Sequence, residues 1–173
     1  RDAWQKPHEV IQALAPKPDA VIADIGAGTG YFAMRFAHRA PQGRVYAVDT
    51  EASMVAHLAE RAKKAGLKNL VALHASPDNP RLPEKVDLVV FVDVYHHVED
   101  RVRYLRSVRD MLKADGRIAV IDFRMDSPIG PPRSARIDPD RVKDELGRSG
   151  YRLVGEHDFL PHQYFFVFAP VQP

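Results

Sequence analysis

A chain of 173 residues, 45% hydrophobic and 28% charged, has room for one α/β domain and enough apolar side chains to fill its core. A formal net charge of +2 with no block of like charge argues against a nucleic-acid partner, and no apolar run approaches the ~20 residues of a membrane span. The absence of cysteine removes disulfides, thiolate metal sites and cysteine nucleophiles together.

In chain order, the first predicted element is a short helix with Val10, Ile11 and Leu14 on one face and Pro7 suited to its first turn. Ala20 to Ala23 is an apolar run of strand length. A helical pattern through Phe32, Phe36 and Ala40 follows, then the β-branched run Arg44 to Val48. Met54, Val55, Leu58 and Ala62 predict another helix, closed by Gly66, and Leu70 to Leu73 a third strand. Asp87 to Val92 is nearly all apolar, as in a parallel strand covered on both faces. Val98, Val102, Leu105, Val108 and Leu112 predict a helix that Lys113 to Gly116 ends, with Arg117 to Phe123 as the fifth strand.

Pro128, Gly130, Pro131 and Pro132 then break the rhythm. Too little chain follows for a second core, so this stretch predicts a loop beside a site, not a domain boundary. Asp138 and Pro139 supply an N-cap and first-turn proline for a helix ending near Gly150. Tyr151 to Phe159 and Gln163 to Phe168 read as strands. Only Leu160 to His162 separates them, too little for a parallel crossover, which predicts an antiparallel hairpin. The sum is an α/β domain over residues 1–173: a doubly wound, seven-stranded, mostly parallel sheet built from five strand–helix units, with an antiparallel C-terminal strand.

The chemistry centres on Asp24-Ile25-Gly26-Ala27-Gly28-Thr29-Gly30, between the first strand and a helix. Glycines there bring bare backbone N–H groups to a helix N-terminus, where a ligand can approach closely. Asp49, at the end of the second strand, is placed to accept hydrogen bonds from both hydroxyls of a ribose. A plain turn is the simplest alternative, but three glycines and two acids coincide in the right elements. The spacing is G-x-G-x-G followed by Tyr31 and Phe32, not the G-x-G-x-x-G of nicotinamide dehydrogenases.

With Val48-Asp49, Leu82-Pro83 before Asp87, Leu112-Lys113 before Gly116-Arg117 and the terminal hairpin, this loop resembles the first motif of class I S-adenosylmethionine-dependent methyltransferases. Arg1 to Pro7, Asp93-Val94-Tyr95-His96-His97 and Leu160 to Tyr164 resemble a bacterial group of small methyltransferases related to the quinone-biosynthesis C-methyltransferases. The resemblance implies a Rossmann-like fold and S-adenosylmethionine as cofactor. The backbone of Gly26, Ala27, Gly28 and Gly30, leading into Tyr31, would hold the methionine end, with Asp24 helping to bind the ammonium. Asp49 would take the ribose, Thr50 and Met54 would flank the adenine, and Ser76 or Asp78 would meet its edge. Residues 1–18 would form a helical segment over the cofactor, carrying Trp4 as a lid.

Methyl transfer from a sulfonium is an in-line displacement, so the protein aligns the acceptor and, for some acceptors, removes a proton. Asp93, Tyr95, His96 and His97 follow the fourth strand, at the edge where open α/β sheets bind ligands, and are candidates for catalysis, Asp93 for cofactor binding as well. Either histidine suits a general base, His97 being the preferred one, and a helix-packing role is the alternative for each. His162 and Gln163, in the terminal turn, are candidates to face the acceptor, and Arg124 or Arg133 to bind an anionic group on it. No cluster with metal-ligand spacing is present, so no metal is expected.

The chain lacks the Asn/Asp-Pro-Pro-aromatic tetrad of amino-methylating DNA enzymes, so a small-molecule acceptor is expected, with its reacting atom open. A nicotinamide-dependent oxidoreductase and a non-catalytic cofactor-binding domain stay as alternatives. A cytoplasmic location is expected. A chain that begins at Arg1 is also compatible with a removed leader. Oligomeric state is not encoded in any pattern.

Overall fold

The computed structural model describes residues 1–172. Its strands are β1 (Val21–Ile25), β2 (Arg44–Asp49), β3 (Leu70–His74), β4 (Val86–Val92), β5 (Leu112–Phe123), β6 (Tyr151–His157) and β7 (Gln163–Pro170). They form one sheet in the order β3-β2-β1-β4-β5-β7-β6. The first five strands run parallel, and β7 lies antiparallel between β5 and β6. The helices are α1 (Asp2–Gln5), α2 (Pro7–Leu14), α3 (Tyr31–Arg39), α4 (Ala52–Lys64), α5 (Arg101–Arg109) and α6 (Pro139–Arg148).

Alternation along the inner strands builds two cores, since successive side chains point to opposite faces. Ile22, Leu88, Val90, Ile121 and Phe165 face α2, α3 and α4, where Leu14, Phe36 and Leu58 complete the layer. Ala23, Val89, Phe91, Val120 and Phe166 face α5 and α6, against Tyr104, Leu105 and Leu146. β1 pairs with β2 on one side and β4 on the other, so the chain winds outward in both directions from β1. The crevice at the carboxyl ends of β1 and β4 is the topological switch point, where ligands of such sheets bind.

Three expectations need correction. No helix crosses from β3 to β4: residues 75–85 are irregular, with a bridge between Ser76 and Asn79. Pro77, Pro80 and Pro83 deny a helix three of its backbone donors, leaving four strand–helix units, not five. The helix after β4 begins at Arg101, not near Val98, because Asp100 enters it with a left-handed φ of 46°. Finally, Leu112 is not helical. It pairs with Val86, and a bulge over Lys113 to Gly116 restores the register at Leu88 and Arg117.

The helix after the proline loop forms as its cap predicts, with the Asp138 carboxylate accepting the Asp140 N–H at 2.8 Å. Arg136, which carries no sequence signal, holds the preceding loop together. Its guanidinium donates to the carbonyls of Arg124, Ser127, Ile129 and Pro131 at 2.7–3.1 Å. No helix among the described residues is long and apolar enough to cross a membrane.

Candidate active site

A cavity of about 530 Å³ opens at the carboxyl ends of β1, β2, β3 and β4, with Gly26, Asp49, Thr50, Ser76, Asp93 and His97 in its wall. The glycine loop forms because Gly26, Gly28 and Gly30 all adopt positive φ, at 68°, 58° and 90°. At Gly26 a side chain is also excluded by space, since a Cβ would stand 2.9 Å from the Val94 Cβ and closer still to its Cγ2. At Gly28 a Cβ would meet nothing within 4 Å, so this turn of the loop faces open space.

Asp49 sits at the rim with its orientation set. One carboxylate oxygen accepts the Gly28 N–H and the other the Glu51 N–H, both at 3.1 Å. A carboxylate has about four lone-pair sites, so two remain to accept from a ligand. Asp24 is deeply buried, 3% exposed, and burial pushes its carboxyl up to about 7 against the pull of the Arg1 guanidinium. A buried carboxyl in this state calls for a cationic partner. Asp24 is not in the cavity wall, whereas Asp49 and Gly26 are, so Asp49 is the acid with acceptor capacity left at the rim.

The N-terminal segment closes over this edge. Gln5 is fully buried, and its amide donates to both Asp93 oxygens at 3.1–3.2 Å and to the Gln163 carbonyl oxygen at 2.9 Å. Gln163, also fully buried, donates to Asp93 in turn, and Arg1 reaches Asp93 at 3.3 Å. Burial pushes the Asp93 carboxyl up, while Gln5, Gln163 and Arg1 oppose that shift. Asp93 also holds a left-handed φ of 59°. Tyr31 anchors the other side of the segment, bonding Asp2 and lying under the Arg1 and Arg35 guanidiniums at 4.0 and 4.1 Å.

The remaining candidates divide. Thr50 and Ser76 line the cavity, whereas Asp78 is not in its wall and binds the Ser76 hydroxyl at 2.7 Å. Met54 packs against the core layer of α2, α3 and α4 instead of the cavity. Trp4 stands over the edge, its ring 5.7 Å from Phe123 and 6.3 Å from His162. Gln163 has no exposed surface with which to face an acceptor, because its amide is consumed by Gln5 and Asp93. Arg124 donates its Nε–H to the Gln163 carbonyl at 3.2 Å, tying β5 to the terminal turn. Among the described residues Arg133 reaches the Met125 carbonyl alone, at 3.5 Å.

Tyr95 departs furthest from expectation. It turns into the layer beneath the site, where its hydroxyl lies 2.9 Å from Glu145, itself clamped by Arg101 at 2.7 and 2.9 Å. Buried outside the cavity wall and bonded to Glu145, Tyr95 anchors the layer beneath the site; burial, and then the negative Glu145, raise its hydroxyl. His96 and His97 separate as well. His97 lines the cavity, while His96, its side chain 4% exposed, places Nδ1 2.8–3.0 Å from the Asp122 carboxylate. Asp122 escaped the sequence reading, although a carboxylate near the end of an apolar strand was a visible signal.

Comparison with known proteins agrees with this geometry. Residues 23–118 match the family described as a methyltransferase domain. Trans-aconitate 2-methyltransferase of Deinococcus radiodurans is 32% identical over 69% of this chain and 45% of its own. A 27-O-demethylrifamycin SV methyltransferase of Amycolatopsis mediterranei is 28% identical over 82% of this chain and 51% of its own. The chain thus spans about half the length of these curated relatives. A SAM dependent methyltransferase from Aquifex aeolicus superposes with a TM-score of 0.87 at 22% identity, covering 94% of this chain and 88% of that one. The glycine loop, the two acids and the reversed terminal strand are thereby accounted for together: the chain belongs to the methyltransferase domain family, in its class I, S-adenosylmethionine-dependent form.

Proposed function

We propose that this chain transfers a methyl group from S-adenosylmethionine to a small-molecule acceptor. The observation that carries the reading is Asp49, fixed by two backbone N–H groups, one of them from the glycine loop, at the rim of a cavity whose wall includes Gly26. In this reading Asp49 takes the ribose hydroxyls, Gly26 to Gly30 and Asp24 take the methionine end, and Thr50 and Ser76 flank the adenine. The bound cofactor supplies a methyl group already activated on a sulfonium. The chain's own work is to orient the acceptor and exclude water. A small acceptor, and not a nucleic acid, suits the nearly balanced charge.

Calorimetry with S-adenosylhomocysteine tests this directly. Binding is expected in the wild type and should weaken about 10- to 100-fold in Asp49→Ala, which loses charge-assisted hydrogen bonds of roughly 1.5–3 kcal/mol each. No heat from folded wild-type protein overturns the reading.

Residues 1–18 act in this proposal as the lid of a single domain. Lys6 and Ala15, with left-handed φ of 45° and 47°, bracket α2 and serve as its pivots, and the Gln5 amide is the latch. Trp4 is the sole tryptophan, so its fluorescence follows the lid. Stopped-flow mixing with S-adenosylhomocysteine is expected to change the emission, with release about 10-fold faster in Gln5→Ala as one charged hydrogen bond is lost. Equal release rates in the two proteins would exclude the latch.

A further inference from the structure

The cavity at the carboxyl ends of the strands covers only part of the proposed cofactor edge. Its wall takes in Gly26, Asp49, Thr50, Ser76 and Asp93, but not Asp24, Gly28, Gly30 or Tyr31. The adenosine end of the reading above therefore opens into the cavity. The methionine end lies outside it, where the N-terminal segment bonds Tyr31 and Asp93.

The side chain standing there is Arg1. Its guanidinium lies over the Tyr31 ring at 4.0 Å, reaches an Asp93 oxygen at 3.3 Å and donates to the side-chain oxygen of Gln5. It also pulls the Asp24 carboxyl down against burial, while the charges of Asp49 and Asp93 push it up. One cation thus answers an aromatic face and two acids, groups that together select a positive charge. Asp24 is the acid assigned to the cofactor's ammonium in the reading above, and two cations in one partly desolvated subsite repel. Arg1 is also loosely held. Its side chain is 40% exposed, and an ion pair open to solvent is weak. Arg35, over the same ring at 4.1 Å, is by contrast fixed by the Tyr31 carbonyl at 2.6 Å. Departure of Arg1 leaves the Gln5 amide its bonds to Asp93 and Gln163.

We propose that Arg1 is a tethered competitor of the cofactor: its guanidinium fills the cation subsite between Asp93 and Tyr31, and the ammonium of the cofactor's methionine end displaces it. The inference rests on the methyltransferase reading above. Arg1 spares Asp24 and Asp93 an uncompensated charge while no cofactor is bound, since a carboxylate away from water is costly without a cation. The same contact lowers apparent affinity, because only the fraction of molecules with Arg1 swung out can accept the methionine end. Occupancy of the subsite by Arg1 about nine-tenths of the time lowers that affinity about 10-fold. The adenosine end carries no such cost, because its cavity lies clear of Arg1.

Calorimetry with two ligands tests it. S-adenosylhomocysteine carries the ammonium, whereas methylthioadenosine ends at the thioether and has none. Arg1→Ala is expected to tighten S-adenosylhomocysteine about 10-fold and to leave methylthioadenosine unchanged. Arg1→Lys, which keeps the cation, should stay near wild type with both. In 15N spectra the Arg1 Nε–H, assigned by its loss in Arg1→Lys, should move to the position of a solvated arginine when S-adenosylhomocysteine is added. Methylthioadenosine should leave it in place. Weaker S-adenosylhomocysteine binding in Arg1→Ala overturns the proposal, since it would make Arg1 a partner for the ligand's carboxylate. So does an unchanged affinity, an equal change with both ligands, or an Arg1 signal that S-adenosylhomocysteine does not move. Wild-type protein that does not bind S-adenosylhomocysteine at all instead strikes the underlying methyltransferase reading.

Discussion

Replacing Asp24 with asparagine is expected to stabilise the ligand-free protein at pH 8 while weakening its hold on S-adenosylhomocysteine. Burial raises the Asp24 carboxyl from 3.8 to about 7. Between those values the folded protein keeps a proton that the unfolded chain releases, so stability falls as pH rises through that window and is lowest above it. A rise of about three units corresponds to ~4 kcal/mol. Asparagine carries no charge and avoids this cost. In a chain of this size ~1 kcal/mol moves the midpoint by roughly 2–4 °C, so Asp24→Asn should melt on the order of 10 °C higher at pH 8. The gain should shrink toward zero near pH 4, where Asp24 is protonated in the wild type as well. A gain equal at both pH values would trace it to packing and not to charge.

The binding side of the same substitution runs in the opposite sense. A buried carboxylate is costly in the empty protein because it awaits a cation, and the cofactor's ammonium is that cation in the proposed function. Losing one hydrogen bond between charged groups removes roughly 1.5–3 kcal/mol, or about 10- to 100-fold in affinity. Calorimetry at pH 8 checks it. Affinity unchanged in Asp24→Asn would remove Asp24 from the cofactor site. The pair of measurements describes a site that gives up stability for binding, as functional sites commonly do.

Gly26→Ala is the second substitution with a large expected effect. Two costs coincide there: a φ of 68°, and a Cβ driven into Val94, a branched side chain with little freedom to move. Val94 follows Asp93 and caps the turn that carries His96 and His97, so a shift of Val94 is expected to displace the residues on either side of it. A loss of about 2–4 kcal/mol in stability is expected, with more than 100-fold weaker S-adenosylhomocysteine binding. Gly28→Ala is the control. It shares the positive φ, but its Cβ meets open space, so its stability cost should stay near ~1 kcal/mol. Equal destabilisation by the two would show that backbone conformation alone, and not contact with Val94, sets the requirement at Gly26. Urea unfolding of both variants beside the wild type decides it.

Much of this molecule is legible as pattern within a short window. The strands β1, β2, β3 and β4, helix α4, the Asp138 cap and the terminal hairpin all follow from periodicity, turn length and capping chemistry, each of which acts over a few residues. The glycine loop is equally local, because a tight turn at a helix N-terminus requires positive φ wherever the chain goes next. The errors fell where non-local contact overrode pattern. Leu112 has the spacing of a helix but is captured by Val86 across the sheet, and Asp100 starts its helix late by a left-handed turn that its residue type does not demand.

The roles of polar side chains were decided by the tertiary structure. His96 and His97 are indistinguishable as neighbours in a row of letters, yet Asp122 on the adjacent strand selects one of them. Tyr95 is drawn away by Glu145, 50 residues on, and Gln5 meets Gln163 across 158 residues. The reason is desolvation: a buried polar group must find a partner, and which partner is available depends on what the fold brings beside it. Local sequence therefore determined the sheet, the glycine loop and the edge where the candidate site lies. Burial and long-range pairing decided which residues at that edge are free to act, and which, such as Gln163, Arg124 and Tyr95, are spent holding it together.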